Sequence, residues 1–249
     1  CRRLRRRLFI RRRFVWLIRR RNDRWRRLFD AVLTHSSGLD PSHSINLQMR
    51  IIRINTESPL YAETERIWIE SFPENERRDI KMHKAAVDGD ERFFYNAIVE
   101  GISDDSSGSC AWVYDCVASD AGIIDGDRVI GLLSWWALDG MVYGEHFAMS
   151  PSVRGRGLGE KVFTEVTGKF LAHGLPFVFE VEAPSSENPI ATRRIRFYER
   201  CGMHLLDAPY FQPPYRRKDA PIPMRLMSSD PSVDPSLAVR LIQAVYPTL

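Results

Sequence analysis

A chain of 249 residues is long enough for one large domain or two small ones, and 44% hydrophobic with 27% charged residues is the balance of a soluble globular protein with a sizeable core. The formal net charge of +4 averages two unlike pieces: residues 1–48 hold fourteen arginines, no lysine and three acids (Asp23, Asp30, Asp40), a net of +11, while the rest holds 22 basic and 29 acidic residues, a net of −7. An acidic body disfavours nucleic acid as the main partner. The longest apolar run in the basic part, Phe14-Val15-Trp16-Leu17-Ile18, falls far short of the roughly 20 residues a helix needs to cross a bilayer, so no membrane partner is expected.

Residues 1–27 interleave arginine with Leu, Phe, Ile, Val and Trp. Three readings stand: a basic arm for nucleic acid or anionic lipid, an amphipathic targeting peptide, or upstream sequence foreign to the protein. The last is favoured here. The chain opens on Cys, its basic bias is all arginine, and ordinary composition resumes near Met49. The expected division is therefore 1–48 as an Arg-rich extension and 49–249 as one domain of normal size. The four cysteines (Cys1, Cys110, Cys116, Cys201) have no metal-ligand spacing and fit reduced thiols in a cytoplasmic protein.

Residues 50–54 read as a short strand. Ser58-Pro59 offers an N-cap followed by Pro at the first helical position, for a helix ending at Phe72-Pro73. A second helix is expected from Glu76 to Val87, closed by Asp88-Gly89, and Phe93–Val99 reads as a strand. The Gly/Ser/Asp-rich stretch 103–126 reads as a long hairpin insertion. Val129–Trp136 and Val142–Met149 flank Asp139-Gly140, a turn signal, and should pair antiparallel. A helix from Gly157 to His173, a strand at Pro176–Val181 and a helix from Ala191 to Cys201 with Gly202 as C-cap come next. Strands at Met203–Leu206 and Ile222–Met227, with a loop through Gln212-Pro213-Pro214-Tyr215 between them, and a helix over 235–245 complete the order. This is an α/β chain: a mixed sheet with helices on its faces, without internal repeats.

Gly155, Gly157 and Gly159 sit between a strand and a helix, flanked by Arg154 and Arg156. Bare backbone N–H groups at a helix start converge on an anion, and the helix dipole assists. A phosphorylated ligand is the expectation; glycines that only permit a tight turn are the bland alternative. Gly159-Glu160-Lys161 lacks the Gly-Lys-Ser/Thr of a Walker A loop, and a dinucleotide fingerprint read from Gly155 would need Gly at position 160.

The chain here resembles the GNAT superfamily of N-acetyltransferases. That family's Gln/Arg-x-x-Gly-x-Gly/Ala signature is matched by Arg154-Gly155-Arg156-Gly157-Leu158-Gly159, and its Tyr-x-x-x-Gly by Tyr198-Glu199-Arg200-Cys201-Gly202, over a span of about residues 50–228. The resemblance implies a mostly antiparallel sheet whose fourth and fifth strands (Val142–Met149 and Pro176–Val181) splay apart. It implies acetyl-CoA as acyl donor, with pantetheine on backbone near Phe147 and Met149 and the pyrophosphate on Arg154, Gly155, Arg156, Gly157, Leu158 and Gly159. The family often has Asn seven residues before the Tyr; Ala191 stands there, so that contact is absent or comes from another group such as Asn188.

Acyl transfer to an amine needs a base, because an ammonium (pKa ~10.4 for lysine) has no lone pair, and the leaving thiolate gains from an acid. Tyr198 is the expected acid. Glu145 is the leading base, on a face expected to carry Tyr143, Glu145 and Phe147 together, with His146 opposite and structural. Glu180 and Glu182 compete, set into an apolar strand where a carboxylate can have a raised pKa. The acceptor, a small-molecule or peptide amine, is expected where Phe72–Arg78 meets Tyr210–Arg216. A non-catalytic acyl-CoA-binding module and nucleic-acid binding through the arginine arm are the other function classes, and a homodimer is left open. A chain started at Met49 is expected to stay soluble and keep its activity; insoluble or inactive protein beside a working full chain would show that residues 1–48 are needed.

Overall fold

The computed structural model describes residues 47–102, 126–184 and 188–246. The arginine arm to residue 46, residues 103–125 of the expected 103–126 insertion, and Cys1, Cys110 and Cys116 lie outside them. Eight strands form one sheet: β1 (Leu47–Arg53), β2 (Phe93–Ile102), β3 (Arg128–Leu138), β4 (Met141–Met149), β5 (Phe177–Glu182), β6 (His204–Leu205), β7 (Tyr210–Gln212) and β8 (Ile222–Ser228). Their order is β1-β2-β3-β4-β5-β8-β6, with β7 also on β8, and every pairing is antiparallel except β4 with β5. β1 begins at Leu47, so its first two residues precede Met49.

Helices cover both faces, which lets nearly the whole central sheet be apolar. α1 (Tyr61–Ser71), α2 (Ile80–Gly89) and α5 (Pro235–Gln243) pack on one face, where Ile67, Trp68, Val87, Ala238 and Ile242 join Tyr95, Leu132, Tyr143 and Leu226. α3 (Leu158–Ala172) and α4 (Pro189–Arg200) pack on the other, with Val162, Phe163, Val166, Phe170 and Ile195 against Trp135, Phe177, Phe179 and Val181. The helical period of those apolar positions dictates which stripe each helix buries.

Several boundaries differ from the sequence reading, each for a local reason. Ser58 closes a turn, accepting at its carbonyl from Tyr61 N–H (2.9 Å), so α1 starts at Tyr61. Asp79 caps α2 by accepting from Met82 N–H (2.8 Å), and Glu74–Glu76 is a separate 3₁₀ turn, so α2 does not start at Glu76. Tyr210–Gln212, expected as loop, pairs with Ile222–Met224 as β7.

Two irregularities in β4 position everything that follows. The first is a β-bulge against β3: Trp135 faces Gly144 and Ser134 faces His146, leaving Glu145 as an extra residue. A bulge twists its strand and re-aims side chains. Tyr143, Glu145 and His146 therefore look to the α1/α2 face while Phe147 looks to the α3 face, where it packs on Phe163 at 5.2 Å. This corrects the expectation that Tyr143, Glu145 and Phe147 share a face with His146 opposite: period-two alternation fails across one inserted residue.

The second irregularity is a fork. β4 pairs with β5 only through Val142–Phe177, Tyr143–Val178 and Gly144–Phe179, yet β4 runs on to Met149 and β5 to Glu182. Ser150 N–H bonds to Ile130 on the β3 side, so by alternation Phe147 and Met149 turn their main-chain groups into the gap. The last pair before the fork needs Gly144, since a Cβ there would stand 2.5 Å from the Phe177 ring. Gly144→Ala should cost about 1–3 kcal/mol through overpacking, read as a lower urea midpoint at constant m-value; an unchanged midpoint would contradict the close fit.

Candidate active site

A cavity of about 530 Å³ opens at the fork. Phe147, Met149 and Arg154 line one part of it, Phe163, Phe179 and Tyr198 another, and Glu145, His146, Glu180, Glu182 and Tyr215 a third.

The donor side begins at the turn between β4 and α3. Gly155 and Gly157 have φ of 78° and 75°, left-handed values that a side chain would strain, and Gly157 caps α3 without a side-chain acceptor. The first N–H groups of α3, at Leu158 and Gly159, accordingly have no cap to bond to and lie at the positive end of the helix dipole. Gly159 also permits close packing, as a Cβ there would lie 3.2 Å from Met149 Cγ. Arg154 donates through Nε to the Met149 carbonyl (3.0 Å), which anchors it beside the gap, and Arg156 stands 3.6 Å from Glu100. The chemistry of this set, main-chain donors with two flanking cations, fits a diphosphate.

Glu145 is held as an anion. Oε1 accepts from Arg78 Nε and from the Tyr215 hydroxyl, both at 3.1 Å, Arg78 Nη2 lies at 3.0 Å, and Oε2 accepts from Trp136 Nε1 at 3.1 Å. Its side chain is 1% exposed. Burial pushes its pKa up, but the Arg78 charge above all, with the Trp136 hydrogen bond, works against that, and its pKa lies below the ordinary carboxylate value. A carboxylate so paired, with lone pairs already in use, is a weak base, which counts against the leading role expected for it.

Glu180 is its opposite. It lies one residue beyond the last paired position of β5 and accepts from the hydroxyls of Tyr210 and Tyr246, the latter at 3.0 and 2.9 Å. Burial raises its pKa to about 7 against the lowering by those hydrogen bonds. Glu182 pairs with Arg194 and accepts from Asn188 (3.4 Å). Asn188 caps α4, accepting from Ala191 N–H at 3.1 Å, so its oxygen already serves the helix.

Tyr198 sits among Phe179 (4.5 Å), Phe163 (5.0 Å) and Phe197 (5.1 Å), and burial raises its pKa to about 12. It remains a phenol at neutral pH and can donate. His146 donates from Nε2 to the Glu76 carbonyl (3.3 Å), and burial first of all lowers its pKa, so it is neutral with a bare Nδ1. Cys201 is a buried free thiol, its pKa raised by burial.

Sequence reasoning missed Arg78 as the partner of Glu145 and the tyrosines around Glu180. These groups come from separate elements, and no spacing along the chain links them. The adjacent polar pair Glu145-His146 inside an apolar strand was the one available signal of the bulge.

The profile of the acetyltransferase (GNAT) family matches residues 60–203, the stretch that carries the fork, the glycine turn and Tyr198. The chain belongs to the GNAT acetyltransferase family. Among solved structures it is similar to a protein from Bacteroides thetaiotaomicron assigned to that family, with 29% identity, a TM-score of 0.59, and coverage of 78% of this chain and 94% of the other. The ribosomal-protein-S18-alanine N-acetyltransferase of Escherichia coli follows at 15% identity and TM-score 0.44 (73% and 92% covered). A GNAT acetyltransferase of Elizabethkingia anophelis with acetyl-CoA bound gives 10% and 0.42 (73% and 97%). No curated protein sequence matches the chain. Among the described residues of this GNAT protein, no helix is long and apolar enough to cross a membrane and no cluster of three His, Cys, Asp or Glu is placed to hold a metal.

Arg78→Met should destabilise the protein by about 3–5 kcal/mol at neutral pH, because it strands the Glu145 charge in the interior. A carboxylate with a lowered folded pKa stabilises above its unfolded value near ~4.3 and loses that contribution as pH falls. The difference between the two proteins in urea should therefore shrink towards acid pH; a pH-independent difference would argue against the ion pair.

Proposed function

We propose that this GNAT protein transfers an acetyl group from acetyl-CoA to a primary amine of a small-molecule or peptide acceptor, by direct attack, with Glu180 accepting a proton and Tyr198 donating one. The observation that carries the reading is the fork itself. Phe147, Met149, Glu180 and Tyr198 line one cavity at that fork, and β4 leads straight on to the glycine turn before α3, which supports a donor seat beside the two proton-carrying groups. When bound, acetyl-CoA supplies the activated acyl group; the chain supplies its seat and the proton movements.

Leu158 and Gly159 N–H groups, with Arg154 and Arg156, hold the diphosphate. Phe147 and Met149 main chain orient the arm by strand-like hydrogen bonds. Glu180, at about 7, takes a proton from the acceptor ammonium at the working pH, directly or through water. Tyr198 stays protonated until the sulfur leaves and then gives it a proton. Glu145 holds Arg78 and Tyr215 in place rather than titrating, a positioning role. The buried reduced Cys201 suits a cytoplasmic setting.

Steady-state rates and coenzyme A titration check this together. Tyr198→Phe and Glu180→Gln should each lower kcat about 10²–10⁴-fold, with coenzyme A affinity within a factor of about three. Wild-type kcat should rise with pH through about 7, following loss of the Glu180 proton, and Glu180→Gln should abolish that limb. Unchanged kcat in both variants would leave a binding module without these catalytic roles.

A further inference from the structure

The acceptor half of the cavity is short of positive charge in a particular way. Glu70, Glu76, Glu145, Glu180 and Glu182 line the cavity against Arg154 and Arg194. Most of these acids are already matched: Glu145 by Arg78, Glu182 by Arg194, Glu70 by Arg66, and Glu180 by tyrosine hydroxyls. Glu76 is the exception. It is half-buried, and among the described residues no cation lies within ion-pair distance of its carboxylate. Burial first and then the charge of Glu182 raise its pKa while Arg194, the partner of Glu182, lowers it, so the two carboxylates share one arginine and leave a net negative charge there.

An independent feature points the same way. His146 spans the inner and outer acids, with Nε2 on the Glu76 carbonyl and Nδ1 3.9 Å from Glu145 Oε2. The carbonyl can only accept, so Nε2 carries the hydrogen and Nδ1 presents a lone pair. That nitrogen is buried and has no protein donor. A buried acceptor facing a carboxylate calls for a ligand rich in N–H groups.

We propose that the acceptor is a small diamine or short polyamine, whose first nitrogen reacts beside Glu180 while a second, still an ammonium, is held by Glu76 and Glu182, with His146 Nδ1 accepting an N–H from one of these nitrogens. The inference rests on the acyl-transfer reading above and narrows its substrate. Glu180 and Glu182 are two positions apart on β5, roughly 6.6 Å at ~3.3 Å per residue, a distance bridged by about four methylenes between nitrogens. Two protons leave the reacting nitrogen. The first goes to Glu180 and frees the lone pair; the attacking nitrogen then forms the C–N bond as the C–S bond breaks, the thiolate takes the proton of Tyr198, and the second proton shed by the new amide nitrogen restores the phenol.

The test compares 1,4-diaminobutane with n-butylamine at fixed acetyl-CoA, reading released thiol. The diamine should be favoured at least 30-fold in kcat/KM, chiefly through KM, and the double variant Glu76→Gln, Glu182→Gln should cut that ratio to about three or less. Calorimetry of 1,4-diaminobutane with the coenzyme A-loaded protein should show binding that the double variant loses. Equal use of both amines, or a preference that survives the double variant, overturns the second-cation subsite and leaves acyl transfer standing. Transfer to neither amine, with no diamine binding by protein that takes up coenzyme A, overturns the diamine acceptor and leaves acyl transfer to a peptide amine standing.

Discussion

The pairing between β4 and β5 stops after Gly144 and Phe179, and the rest of the site depends on that stop. A continuous ladder would satisfy the main chain of Phe147 and Met149 within the sheet and close the cavity. Two features oppose it. The bulge at Glu145 adds a residue and twist to β4, and Glu180 carries a carboxylate into tyrosine hydroxyls on the α5 side. β5 is instead held by β8, along Val178 to Glu182. An open edge inside a sheet is expensive unless something pairs with it, which makes the gap a receptor for an extended, strand-like ligand.

The same fork sorts charge. On the α3 face lie glycines, main-chain donors and arginines, a surface for anions. On the α1/α2 face lie carboxylates among aromatic rings. Glu145 and Glu180 are one residue past the fork on neighbouring strands, yet their environments drive their pKa values apart: an arginine partner lowers the first, and burial among tyrosines raises the second to about 7. Paired acids separated by environment in this way divide labour between structure and chemistry.

Much of this was legible in the sequence. The Asp139-Gly140 hairpin, the three glycines before a helical period, and Tyr198 followed by Gly202 each state a local geometry that tertiary contacts leave alone. The mixed sheet with helices on both faces followed from the order of those elements. What could not be read depends on partners far along the chain. The bulge is fixed by the register with β3, and one inserted residue put His146 on the face opposite to that expected. Asp79 rather than a residue near Glu76 caps the start of α2, because Glu74–Glu76 forms a separate 3₁₀ turn. The three residues of β7 become a strand only through β8. The choice between Glu145 and Glu180 turned on Arg78 and on Tyr246, 67 and 66 residues away from them.

Amide hydrogen exchange with and without coenzyme A bears most directly on the fork as a ligand-pairing edge. Binding should slow exchange at the Phe147 and Met149 amides together with those at Leu158 and Gly159, while β3 amides stay as they were. Tight binding that leaves Phe147 and Met149 exchanging freely would mean that the gap between β4 and β5 is not where the ligand pairs.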